Sequence, residues 1–177
     1  MIKAVIFDLD NTLVDFLKFK KLCCEEAVDA MIDAGLHISK KKALEEIYRI
    51  YDTYGIEDPL IFQKFLKKMT GDVDYKKLAY AINAYRKART LTPYPGTKRT
   101  LVRLKERGLK LAIVSDAPKL KAWLRLTALG IDNFFDVVVA KEDTGRLKPS
   151  TLPFRAALRA LKVKPSECLM VGDNPAR

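Results

Sequence analysis

The stretch VIFDLDNTLVD, residues 5–15, places two aspartates at the end of a short apolar run. The run Val5–Phe7 is typical of a buried strand, and Asp8 and Asp10 follow it. Like charges repel, and moving a carboxylate out of water is costly. An acidic turn is one interpretation of the pattern, because Asp is common in turns. A metal-dependent active site is the other.

Length and composition predict a globular protein with one core, or a core with a modest accessory domain. The chain has 177 residues, of which 49% are hydrophobic and 31% charged. No apolar run approaches the roughly 18–20 residues that span a membrane, and Asp8 interrupts the N-terminal run, so we expect no secretory signal. Three cysteines (Cys23, Cys24 and Cys168) have no metal-type spacing, which favours free thiols and a cytoplasmic location.

The formal net charge of +11 raises the alternative of a nucleic-acid-binding protein. However, acidic residues are interleaved with the basic ones, as in KKKALEEIYR (residues 40–49), and no zinc-finger or RNP-like motif accompanies them. A solvated basic surface is therefore the favoured interpretation, and a nucleic-acid partner is unlikely. The charge-rich, amide-poor composition resembles that of heat-adapted proteins.

Four short apolar segments predict the strands of a parallel sheet, because continuous apolar runs suit strands covered on both faces. These segments are residues 3–9, 110–116, 136–140 and 167–173. Helical patterns alternate with the later strands, at residues 97–108, 118–130 and 150–163. This alternation predicts an α/β fold, a Rossmann-like parallel sheet with helices on both faces. In the second helix, the predicted inward-facing residues are Leu120, Trp123, Leu124 and Thr127.

A long interval without a convincing strand predicts an all-helical subdomain inserted into the α/β core. The predicted insert is residues 15–92, and the core is residues 1–14 together with 93–177. Apolar residues recur there at spacings of three and four, as in an amphipathic helix. Three residues are candidate helix N-caps, namely Ser39, Asp58 and Asp74.

Polar residues follow each predicted strand and should meet at one edge of the sheet, where ligands of such sheets usually bind. They are Asp8 and Asp10, Ser115 and Asp116, Lys148, and Gly172 and Asp173. Carboxylate oxygens suit Mg²⁺, while a lysine, a hydroxyl and backbone N–H groups suit phosphoryl oxygens. One carboxylate can attack phosphorus, and a second can transfer protons.

In order and spacing, these motifs resemble those of the haloacid dehalogenase (HAD) superfamily of phosphohydrolases. The four segments that carry the resemblance are VIFDLDNTLVD, LAIVSD, GRLKPSTLPF and CLMVGDNPAR. The first is the most specific, and the helical insert matches the cap of the phosphoglycolate-phosphatase-like members. A Mg²⁺-dependent phosphomonoesterase acting on a small phosphorylated metabolite is what the resemblance implies.

The resemblance also implies roles for single residues. Asp8 would be the nucleophile and a Mg²⁺ ligand, and Asp10 the general acid and base, with its backbone carbonyl on the metal. Asp173 would complete the metal site. Lys148 would neutralise Asp8 and the phosphate, and the remaining phosphate-binding groups would be Thr12, Ser115 and the backbone near Leu9 and Asp116.

Three alternatives share parts of this pattern. A haloacid dehalogenase also uses an aspartate nucleophile but needs neither Asp10 nor Asp173. A phosphomutase would return the phosphoryl group to a bound product. A non-catalytic, receiver-like phosphate-binding module also carries acids, a hydroxyl and a lysine on a parallel sheet, although it usually lacks a helical insert of this size.

The last motif departs from the family pattern, in which a second acid often follows the Gly-Asp pair. The sequence stops at Arg177, one residue before that acid would fall. We therefore expect a fragment or a truncated chain that binds metal weakly, and whose sheet has one uncovered side.

Overall fold

The computed structural model describes residues 1–174 and divides the chain into two compact units. One unit comprises Met1–Leu17 and Leu91–Arg177, and the other comprises Lys18–Thr90. The first contains the sheet and is called the α/β unit below; the second is called the helical unit.

A four-stranded parallel sheet forms the centre of the α/β unit. Its strands, in the spatial order β3-β2-β1-β4, are β1 (Ala4–Phe7), β2 (Lys110–Val114), β3 (Val137–Val139) and β4 (Cys168–Val171). All four predicted strands are confirmed, although each is shorter than its apolar segment. The predicted α/β class with a parallel, Rossmann-like sheet is therefore correct.

The position of each strand in the sheet explains its burial. The central strand β1 is buried at every position, because it pairs with β2 on one side and β4 on the other. By contrast, β4 lies at an edge, and Leu169, Met170 and Val171 are exposed. Helix α8 (Leu152–Leu161) packs against β2 and β3, with Ala157 and Leu161 buried.

The remaining helices of this unit follow strands or connect them. They are α5 (Thr97–Glu106), α6 (Lys119–Leu129) and α7 (Lys141–Thr144), with short 3₁₀ turns at Asp132–Phe134 and Pro165–Glu167. Glycines with positive φ follow α6 and α7, at Gly130 and Gly145.

The predicted face of α6 is wrong. Leu120, Trp123, Leu124 and Thr127 are all exposed, whereas the buried residues are Ala122, Arg125, Leu126 and Leu129. Both sets have helical spacing, so periodicity alone does not separate them. The prediction chose the face with the larger apolar side chains. The sequence does not show that the arginine on the other face has a buried acidic partner.

Four helices build the helical unit: α1 (Phe16–Asp33), which begins in the α/β unit, α2 (Lys40–Tyr54), α3 (Ile61–Thr70) and α4 (Tyr75–Lys87). Their apolar stripes form one core, which includes Met31, Ile47, Phe65 and Leu78. No helix within residues 1–174 combines the length and apolar character needed to cross a bilayer.

Two of the three predicted caps in this unit are confirmed. Ser39 accepts a hydrogen bond from the Lys42 N–H, and Asp74 accepts one from the Lys77 N–H. Asp58 is not a cap, because α3 begins three residues later and the Asp58 carboxylate accepts the Leu60 N–H instead.

Candidate active site

Three of the four strands end beside one another and bring their polar residues to one edge of the sheet. Since β1 is parallel to β2 and β4, Asp8 lies between the ends of both neighbours. The Asp8 N–H donates to the Val171 carbonyl at 2.9 Å. A Cβ atom on Gly172 would lie 3.6 Å from Asp8 Cβ, so the backbone after β4 packs directly against the side chain of Asp8.

A tight turn after β1 joins the first motif to the last. Asn11 adopts a left-handed φ of 59°, which asparagine tolerates better than most residues, and its N–H donates to the Val14 carbonyl at 2.8 Å. The turn presents the Thr12 hydroxyl, which accepts the Asp173 N–H at 3.0 Å. This hydrogen bond connects two motifs that are 161 residues apart in the sequence.

The Asp8 carboxylate forms an ion pair with Lys148, with 2.6 Å between Oδ1 and Nζ. The side chains of both residues are largely buried, with 16% and 3% exposed. Oδ1 of Asp8 also accepts the Leu9 N–H at 2.8 Å. A carboxylate that is desolvated to this degree is stabilised by such direct partners.

The pKa of Asp8 reflects these opposing effects. Burial raises the pKa of this carboxyl group above its ordinary value, and the charge of Asp173 raises it further. The hydrogen bond and charge of Lys148 act in the opposite direction. The influence of Asp173 means that the two carboxylates are close enough to repel each other, and a bound cation would offset that repulsion.

Lys148 is held in place by the residues around the end of β2. Its Nζ donates to the Val114 carbonyl at 3.2 Å, and its backbone N–H donates to the Asp116 carboxylate at 2.9 Å. Asp116, predicted as a phosphate-binding position, therefore also fixes the loop that carries the lysine. Ser115 is buried, and its hydroxyl accepts the Ala117 N–H at 3.2 Å.

Asp10 has a partner that the sequence analysis missed. Its Oδ2 lies 2.5 Å from Nη1 of Arg125 on α6, and the Arg125 side chain is only 6% exposed. The guanidinium carbon lies 4.1 Å from the centroid of the Phe16 ring, within the range of a cation–π contact. The one signal in the sequence was a single arginine flanked by Leu124 and Leu126 on a helix that follows a motif strand.

The predicted site residues fall into two contact groups. Asp8 contacts Lys148, and Thr12 contacts Asp173, whose charge acts on Asp8. Asp10 forms an ion pair with Arg125, which the sequence analysis did not predict as a site residue. Ser115 lies at the end of the adjacent strand β2.

The oxygen atoms at this edge match the preference of Mg²⁺, which binds one or two carboxylates and keeps several waters. Within residues 1–174, no three His, Cys, Asp or Glu side chains form a metal-binding group. The available donors are the carboxylates of Asp8 and Asp173, with the Asp10 backbone carbonyl as the predicted third ligand.

Residues 2–176 match the haloacid dehalogenase-like hydrolase family. A glyceraldehyde 3-phosphate phosphatase of Methanocaldococcus jannaschii is 38% identical over 176 residues, which are 98% of this chain and 77% of the relative. Pyrophosphatase PpaX of Halalkalibacterium halodurans is 31% identical over 185 residues, covering 98% and 75% of the two chains.

A solved structure, that of the HAD phosphatase from Thermococcus onnurineus, superposes with a TM-score of 0.71 at 30% identity. The match covers 99% of this chain and 79% of that chain. Family, relatives and fold agree with the motifs at the edge of the sheet. The chain therefore belongs to the haloacid dehalogenase-like hydrolase family and is an enzyme of its phosphatase type.

Proposed function

We propose that this protein is a Mg²⁺-dependent phosphomonoesterase that acts through a phosphorylated Asp8. The observation that carries the proposal is the buried Asp8–Lys148 pair at the edge of the sheet, 2.6 Å between charged atoms. A carboxylate that is desolvated but kept next to a cation can attack an anionic phosphate ester, because the cation offsets the charge repulsion between them.

In the first step, a carboxylate oxygen of Asp8 forms a bond to phosphorus while the bond from phosphorus to the ester oxygen breaks. Asp10, in its protonated form, gives its proton to the departing oxygen, and an alcohol leaves. In the second step, water attacks the phosphorus of the aspartyl-phosphate, and Asp10 takes the proton of that water. Inorganic phosphate and free Asp8 result.

Several groups would hold the phosphoryl oxygens during both steps. The hydroxyls of Thr12 and Ser115, the backbone near Asp116 and the ammonium of Lys148 offer donors from three different motifs. The Thr12–Asp173 and Lys148–Asp116 hydrogen bonds support this role, because they fix the donors before substrate binds.

Asp8, Asp173 and the Asp10 carbonyl would hold Mg²⁺. When bound, the ion would neutralise the charge on these carboxylates and on the phosphoryl oxygens.

For the substrate, we infer a small phosphorylated metabolite. The name of the M. jannaschii relative makes glyceraldehyde 3-phosphate the first compound to test, and the name of PpaX makes pyrophosphate the second. We further propose that residues 15–92 act as the cap that selects substrate and excludes water. The unpaired state of all three cysteines supports a reducing, cytoplasmic location.

The test measures hydrolysis of an aryl phosphate by the full-length protein, with Mg²⁺ and with excess chelator. We expect turnover to require the metal and to return when Mg²⁺ is restored. Asp8→Asn should lower kcat by at least about 1,000-fold, as loss of a nucleophile does in other enzymes.

The matched control is Asp52→Asn, which makes the same chemical change at an exposed position of α2. It should leave kcat unchanged. Full turnover by the Asp8→Asn variant, or turnover that is indifferent to chelator, would contradict the proposal.

A further inference from the structure

Arg125 is a buried cation that the four family-like motifs do not include. Only 6% of its side chain is exposed, and its Nη1 lies 2.5 Å from Oδ2 of Asp10. The other buried residues of α6 are Ala122, Leu126 and Leu129, all apolar. An arginine therefore occupies a position where the helix otherwise presents apolar side chains to the interior.

Packing alone does not explain this choice. A buried ion pair is often no more stabilising than apolar residues of similar volume, because both charges lose their hydration. Two further features restrict the pair: the guanidinium stacks at 4.1 Å on the ring of Phe16, and Phe16 is itself 4% exposed. The arginine is held from one side by the ring and holds the carboxylate on the other.

We propose that Arg125 is a positioning residue, which fixes the orientation of the Asp10 carboxyl group for proton transfer to the leaving oxygen. This inference rests on the proposed function, in which Asp10 is the acid and base. In this role Arg125 acts through its contact with Asp10 and not by binding substrate or metal itself.

Two physical effects follow from the contact. The hydrogen bond to Oδ2 restricts rotation of the Asp10 carboxyl group, so that the orientation is set before the reaction begins. In addition, negative charge develops on this group as its proton leaves, and the adjacent guanidinium stabilises that charge in the transition state.

Because the effect concerns a proton given to the leaving group, it should depend on which leaving group is used. An alkoxide needs that proton, whereas p-nitrophenolate is stable without it. The experiment therefore compares kcat/KM for an alkyl phosphate, β-glycerophosphate, with kcat/KM for p-nitrophenyl phosphate. The ratio of the two does not depend on how much of a preparation is correctly folded.

In Arg125→Met, we expect kcat/KM for the alkyl ester to fall by about 100-fold, the lower end of typical general-acid contributions. For p-nitrophenyl phosphate we expect a fall of less than about 5-fold on the same basis. Arg125→Lys, which retains a cation, should restore most of the alkyl-ester activity. Combined with Asp10→Asn, the Arg125→Met change should have no further effect on the ratio, because both act on one group.

The matched control is Arg103→Met on α5, which removes an exposed arginine and should leave kcat/KM for both esters unchanged. Equal losses for the two esters in Arg125→Met would overturn the inference and assign the arginine a structural role. If Arg125→Met does not fold, Arg125→Gln is measured in the same way. If neither folds, the pair is structural and the inference fails.

Failure of the proposed function gives a different result. If Asp10→Asn itself leaves the ratio unchanged, or if the full-length protein hydrolyses neither ester, the assignment of Asp10 as acid is wrong and the inference falls with it. If Asp10→Asn shifts the ratio and Arg125→Met does not, only the inference is overturned.

Discussion

Two charged pairs, one in the α/β unit and one in the helical unit, lie in different environments. In the α/β unit, the Asp8–Lys148 pair is largely buried, with 16% and 3% of the side chains exposed. In the helical unit, the Asp29–Lys40 pair has a similar distance of 2.5 Å, but 43% and 45% of its side chains are exposed. The same chemical pairing therefore occurs in two very different environments.

In the proposed mechanism, the Asp8–Lys148 pair takes part in the reaction, whereas the Asp29–Lys40 pair lies on a hydrated surface. An exposed ion pair costs little to form and contributes little, because water screens it. A buried pair costs desolvation of both partners, so its presence at the edge of the sheet is better explained by the reaction than by stability. Three mutations test that distinction.

The largest effect on stability is expected from Lys148→Met. Removing this ammonium leaves the buried Asp8 carboxylate without its closest cation, a change that typically costs about 3–5 kcal/mol. Urea denaturation at pH 7 would measure the free energy of unfolding. A loss below about 1 kcal/mol, the usual limit for surface pairs, would mean that the two environments do not differ in energy as we describe.

An intermediate effect is expected from Asp136→Asn, just before β3. Burial alone would raise the pKa of Asp136, but the hydrogen bond from the Leu111 N–H and the charge of Lys105 outweigh it and leave the pKa below its ordinary value. Its side chain is 39% exposed, so solvent screening limits the expected loss at pH 7 to about 0.5–1 kcal/mol.

The sign of the pH dependence follows from the lowered pKa. The stabilisation by the ionised Asp136 is fully present above the unfolded-state pKa of about 3.9 and is lost as the pH falls through the lower pKa of the folded protein. The difference between Asp136→Asn and the natural sequence should therefore begin to shrink below about pH 4 and disappear only below the folded-state pKa of Asp136. A difference that grows toward acid would contradict this assignment.

The smallest effect is expected from Lys40→Met. The lysine pairs with Asp29 in an exposed position, and it is also the first residue of α2, where a positive charge opposes the helix dipole. These contributions offset each other, so the free energy of unfolding should change by less than about 0.5 kcal/mol. A loss comparable to that in Lys148→Met would remove the contrast between the two regions.

The sequence predicted those features that depend on local pattern. The strands are continuous apolar runs that end at polar residues, and stripes such as Ile61, Phe65 and Met69 follow a spacing typical of an amphipathic helix. The motif residues were identified because each one follows its own strand. Parallel strands then bring them together without further information.

Features that depend on distant partners were not predicted. The inward face of α6 was assigned to Trp123 and its apolar neighbours, whereas the structure buries Arg125. Asp10, 115 residues away in the sequence, supplies a counter-charge for this buried arginine. Likewise, the Asp116 carboxylate contacts the Lys148 loop, a contact with no local signature.

The order of the strands has a consequence for how the chain folds as it is synthesised. Ala4 of β1 pairs with Lys110 and with Cys168, so the first strand emerges long before either partner. At about 5–20 residues per second, roughly 5–20 s pass between the synthesis of β1 and that of β2. The helices of the helical unit contact one another within a short span and can pack during that time, whereas the sheet, whose pairings are distant in sequence, forms last and slowly. Asp8, the proposed nucleophile, is therefore made well before the strands that surround it and is among the last residues to reach its native surroundings.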